Sequence, residues 1–76
     1  MTPINEKVLV GFSDKPKWIN WRNKIYKITK IGLHHKYKKG VVLHHIFSVL
    51  SDTLFMRLNF NSQSLTWKLE EIENGI

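Results

Sequence analysis

Met56, Leu58 and Phe60 stand at alternate positions between two candidate turns, and both turns place these three side chains on the same face. Pairing about a tight turn at Ser51-Asp52 sets Val49 opposite Leu54, Phe47 opposite Met56, His45 opposite Leu58 and Leu43 opposite Phe60. Pairing about the polar residues 61–64 sets Phe60 opposite Leu65, Leu58 opposite Trp67 and Met56 opposite Leu69. Side chains of a strand alternate between faces, and residues directly opposite in a ladder share a face. Two independent turns therefore agree on one inward apolar set, with Arg57 and Asn59 on the solvent side. Such agreement leaves little room for anything but antiparallel strands.

The rest of the chain repeats the pattern. Val8, Val10 and Phe12 alternate with Lys7, Leu9 and Gly11, which predicts a first strand. Residues 13–16 are polar and end in proline, which reads as a loop. Over residues 18–31, Asn23-Lys24 predicts a two-residue hairpin turn, with Trp21 opposite Tyr26 and Ile19 opposite Ile28. Residues 41–50 are apolar and β-branched, and predict another strand. Residues 70–76 read as a short acidic tail with one helical turn. Helical periodicity of useful length is absent. The expectation is all-β: one domain over residues 1–76, an antiparallel meander of about five strands curled into an SH3-like or OB-like barrel. A hydrophobic share of 42% is enough for a core.

The series Trp21–Tyr26–Ile28, Phe47–Val49, Phe55–Arg57-Leu58-Asn59-Phe60 and Trp67-Lys68-Leu69-Glu70 resembles small uncharacterised bacterial all-β domains. In those, an aromatic-turn-aromatic hairpin precedes a closing Trp-x-Leu strand. The resemblance spans residues 16–72 and implies the fold, with no activity to carry over. The His- and Lys-rich segment between Leu33 and His45 departs from it.

Charge is distributed unevenly. From Lys15 to Lys39 there are nine basic residues and no acidic one, with Trp18, Trp21, Tyr26 and Tyr37 among them. Outside that run the chain is slightly acidic, so the net charge of +6 is local. A field of one sign points to a negatively charged partner. Lysine and arginine neutralise phosphates, and exposed aromatics stack on unpaired bases. The competing reading makes Trp21 and Tyr26 core residues and the lysines a solvated face.

Other chemistries fare less well. A turn at Lys39-Gly40 would set His34 opposite His45 and His35 opposite His44, two histidines on each side. Zinc sites take three or four protein ligands, and no cysteine exists, nor any Asp or Glu between Lys15 and Leu50. No metal or cofactor is expected from one chain, although a site shared between two chains stays open. Protonation of these histidines would enlarge the basic patch, so polyanion affinity is expected to rise as pH falls from about 7.5 to 6. No serine carries a nucleophile motif and no glycine-rich phosphate loop occurs, so no enzymatic activity is expected. No apolar run approaches the roughly 20 residues of a membrane span, and no signal peptide or lipidation motif is visible, so a cytoplasmic location away from membranes is expected.

These readings converge on a non-enzymatic basic β module that binds nucleic acid mainly through phosphates. Arg22, Lys24, Lys27, Lys36, Lys38 and Lys39 would supply charge, and Trp18 and Tyr37 would stack on bases. Residues 36–40 would form a mobile basic finger. Single-stranded nucleic acid or RNA is favoured over duplex, since no recognition helix is available. The alternative is a protein-interaction module, a subunit or inhibitor using its basic face or an edge strand. Oligomeric state is left open.

Overall fold

In the computed structural model, which describes residues 2–74, the alternation becomes seven strands and no helix among those residues. They are β1 (Thr2–Phe12), β2 (Pro16–Trp21), β3 (Lys24–Lys27), β4 (Lys30–Lys39), β5 (Val42–Ser51), β6 (Leu54–Asn61) and β7 (Thr66–Asn74). The sheet order is β3-β2-β1-β7-β6-β5-β4, and every pair is antiparallel. The sheet is curled into a half-barrel. Seven strands replace the expected five, partly because β3 and β4 are two halves of one bent strand. The antiparallel steps between them are even in number, so β3 and β4 run in the same sense. Between them, the Ile28 N–H donates to the Lys17 carbonyl (3.0 Å) and the Thr29 N–H to the Leu50 carbonyl (2.8 Å). The chain is thus handed from β2 to β5 without turning back. The expected C-terminal helical turn is replaced through Asn74 by the end of β7, which pairs with β6 as far as Leu54. Residues 75–76 of that expectation lie outside the described residues.

All four expected turns occur one residue away from their expected places. The first uses Arg22 and Asn23, with φ of 54° and 63°, and sets Trp21 opposite Lys24 and Ile19 opposite Tyr26. Positive φ at both central residues is what a type I′ hairpin turn requires. The second uses Asp52 (φ 56°) and Thr53, setting Val49 opposite Met56 and Phe47 opposite Leu58. In the third, Asn61 Oδ1 accepts the N–H groups of Gln63 (2.9 Å) and Ser64 (3.1 Å). This side-chain cap extends the turn to Leu65 (φ 57°), so Leu65 lies in the turn and Phe60 pairs with Trp67. The fourth uses Gly40 (φ 63°) and Val41, setting Lys36 opposite His45 and Tyr37 opposite His44. Sliding a turn by one residue shifts the pairing by two, and strand faces repeat every two. The side chains nearest these turns therefore keep their expected faces, while register shifts at Ile31/Leu33 and Arg57/Leu58 change the phase farther along.

The inner face builds the core: Val8, Ile19, Trp21, Phe47, Val49, Met56, Leu58 and Leu69 are buried together, with Tyr26, Ile28 and Trp67 packed against them. Trp21 and Tyr26 are structural, their rings 5.8 Å apart. Trp21 Nε1 donates to Glu6 Oε1 (3.0 Å). On the outer face Trp18 lies across Gly11, where a Cβ would sit 2.0 Å from the indole nitrogen. Only glycine permits that approach. Among the described residues no helix is long and apolar enough to cross a membrane.

Candidate functional site

The inner face is not filled at one end. Phe12, His45, Phe47, Phe60 and Trp67 line a cleft of about 300 Å³ there. Each arrives at this end for a topological reason. Phe12 closes β1, Phe60 nearly closes β6, Trp67 nearly opens β7, and His45 and Phe47 lie in the first half of β5. Trp67 is the hub, with ring centroids 4.7 Å from Phe60, 5.6 Å from Phe47 and 5.8 Å from Phe12. Phe12 is half exposed at the rim.

Strand β4 runs alongside, paired to β5. Its inward residues His34, Lys36 and Lys38 pair with Phe47, His45 and Leu43. The His34 ring stacks on Phe47 at 4.2 Å and 5°. Its Nε2 lies 3.1 Å from His45 Nδ1, so the two imidazoles share one hydrogen. Burial, then the neighbouring His34 and Lys36, hold the His45 pKa below the ordinary histidine value. Any rise in polyanion affinity between pH 7.5 and 6 therefore draws less on His45 than on an ordinary histidine.

That depressed pKa has a stability consequence. The unfolded chain takes up the His45 proton at a higher pH than the folded one. Stability is expected to fall as pH drops from about 6.5 toward the folded pKa, and to stay level with respect to this group below it. Melting temperatures of the wild type and His45→Gln between pH 7.5 and 5 check this. The variant should lose less stability across that window, and parallel curves would show that His45 carries no such linkage.

The outer face of β4–β7 carries a polar ladder instead. Asn59 is buried rather than solvent-facing, as is the neighbouring Ile46. Asn59 Oδ1 accepts from His44 Nδ1 (2.9 Å), and its Nδ2 donates to Glu70 Oε2 (2.9 Å) and Tyr37 Oη (3.3 Å). Arg57 continues the ladder to Glu70 (3.2 Å) and Glu71 (3.0 Å). A buried amide is tolerated because its polar atoms are paired. Tyr37 also stacks on His44, at 4.9 Å and 8°. It is tied into the sheet while remaining 41% exposed.

The residues singled out from sequence fall in separate places. Trp18 is 40% exposed and lies five strand steps from Tyr37 in the sheet order. Lys27 stands opposite Trp18 on the outer face. Arg22, expected to point outward beside Lys27, sits in the hairpin turn and is ion-paired to Glu6. Lys24 Nζ lies 5.1 Å from the Tyr26 ring. Lys36 and Lys38 stand opposite His45 and Leu43, and Lys39 lies beyond them near the turn. His34 and His45 come together on the inner side. His35 stands opposite Ile46 on the outer side, near His44. Among the described residues no group of three or more His, Cys, Asp or Glu side chains could hold a metal. Phe12, Phe60 and Trp67 are not among the residues the sequence points to, and His34 and His45 enter there only as a metal or pH-responsive pair. Their inward phase marks them as core, and nothing in the alternation tells a filled end of a barrel from an open one.

Comparison with known protein families, curated proteins and solved structures finds no match to this chain. The resemblance to small bacterial all-β domains rests on Trp and Leu at alternate positions, which any small β core uses.

Proposed function

We propose that this protein is a non-enzymatic β module that binds nucleic acid through phosphates, with single strands favoured over duplex. The observation that carries this reading is the character of β4. It is an edge strand of ten residues, paired only with β5, and exposed along almost all of its length. It presents Lys30, Lys36, Lys38 and Lys39. Among the described residues the ion pairs engage Lys17, Arg22 and Arg57, so the β4 lysines keep their charge available. Clustered lysines on an extended strand can neutralise successive phosphates of a flexible single strand, and a curled sheet offers no helix for a major groove.

The same edge supports a second reading. A strand with one free ladder can accept an extended acidic segment of another protein. Edge lysines also blunt strand-to-strand aggregation, which would explain them without any ligand. One titration separates the three. Fluorescent oligothymidylate, duplex DNA and polyglutamate are titrated at low and moderate salt. Binding of the single strand should be tightest and should weaken steeply with salt, with a log–log slope of about −3 for some four phosphate contacts. Preference for polyglutamate would favour the protein-interaction reading. No binding to any of the three at low salt would leave the lysines as edge protection.

A further inference from the structure

We infer that the inner-face cleft seats one unstacked base of a single-stranded nucleic acid, with the β4 lysines holding the phosphates beside it. This rests on the reading of β4 as a phosphate-binding edge. It moves base recognition away from Trp18 and Tyr37 to residues on the opposite face.

Three observations meet at the cleft. The first is its size and lining: about 300 Å³ among Phe12, Phe47, Phe60, Trp67 and His45. This is at the lower end of the volumes that hold small ligands, and a single flat ring is a fitting guest. Base–aromatic stacking contributes substantially to single-strand binding and tolerates any base. The second is charge. Lys36 stands directly opposite His45, and Lys38 follows on the same face. An aromatic group entering beside them is favoured when it carries an anionic backbone. A neutral ring or an apolar peptide side chain would leave that charge unused.

The third observation is the polar group. His45 is the one lining residue with ring nitrogens apart from the Trp67 indole. Its Nδ1 is engaged by His34, which itself is held flat against Phe47. His45 Nε2 has no partner among the described residues. The His34–His45 pair thus fixes the ring and leaves one nitrogen for the edge of a base. Trp18 and Tyr37 offer no such enclosure. Trp18 lies across Gly11, and Tyr37 is stacked on His44 and bonded by Asn59.

The test compares an eight-nucleotide oligothymidylate, the same strand with every base removed, and polyphosphate of equal charge. The oligothymidylate should bind at least tenfold more tightly than the base-free strand. Phe12→Ala should remove most of that difference and leave polyphosphate binding unchanged. Phe12 is half exposed at the rim, so its loss spares the buried core, and a melting curve verifies that the variant folds. Trp18→Ala should leave the preference for bases intact. Equal binding of the three ligands, or a preference abolished by Trp18→Ala and not by Phe12→Ala, overturns the base site while phosphate binding stands. Absence of binding by all three at low salt overturns the phosphate reading, and the base site with it.

Discussion

Replacing Leu58 with alanine is expected to lower the melting temperature by about 10 °C or more, enough to leave a large unfolded fraction at ordinary temperatures. Leu58 is fully buried at the centre of the inner face, between Phe47 on β5 and Leu69 on β7. Truncating a buried leucine costs about 2–5 kcal/mol, because the transfer energy is lost and a cavity remains. A domain of this size has a net stability near the bottom of the usual range of about 5–15 kcal/mol. One such substitution therefore removes a large share of it. Leu9 supplies the control. It lies on the outer face and is 68% exposed, so Leu9→Ala should change stability by no more than about 0.5 kcal/mol. Thermal unfolding followed by circular dichroism reads both. Equal effects of the two substitutions would mean that the inner and outer faces are wrongly assigned.

The assignment of faces was the part of the fold most legible in the sequence, and the reason is geometric. Met56, Leu58 and Phe60 point inward whether the turns lie at their expected places or one residue away. Register was less legible, since turn position depends on which residue accepts a left-handed backbone. Arg22 and Leu65 do so, and neither residue type advertises it. At Arg22 the ion pair to Glu6 helps to hold the turn. At Leu65 the turn is fixed by the Asn61 cap four residues earlier. The bent strand over β3 and β4 was hidden for a similar reason. Residues 28–29 carry no Gly or Pro, and only the partners of their N–H groups reveal the change from β2 to β5.

The candidate site was legible in its charge and not in its shape. Lys36, Lys38 and Lys39 could be named because a basic run needs no fold to be seen. The aromatic cleft could not, because Phe47, Phe60 and Trp67 follow the same alternation as Leu58 and Leu69. What separates them is distance from the closed part of the barrel, a property of all the strands together. Asn59 shows the converse. Its alternate phase predicts solvent, yet the side chains of Tyr37, His44 and Glu70 close over it.

Reversing the charge of Lys36, Lys38 and Lys39 together is expected to weaken single-strand binding by on the order of 100-fold or more at low salt. The triple variant takes the formal net charge from +6 to zero. Two effects then combine. The protein loses its long-range attraction for any polyanion, and the strand loses phosphate contacts beside the cleft. The salt slope separates them. Each lost contact to a single strand removes about 0.7 from it, so the slope should flatten by about 2. A second triple variant with the same charge change, Lys7→Glu with Lys24→Glu and Lys27→Glu, lies outside β4 and isolates the general effect. It should weaken binding less and leave the slope nearly unaltered. All six positions are exposed strand residues, so both variants should retain their melting behaviour within a few degrees. If the two variants lose affinity equally, binding follows net charge and β4 has no special part in it. If the β4 variant loses more, the phosphates lie along the edge strand. The half-barrel then works as a scaffold that sets a row of lysines against an aromatic cleft.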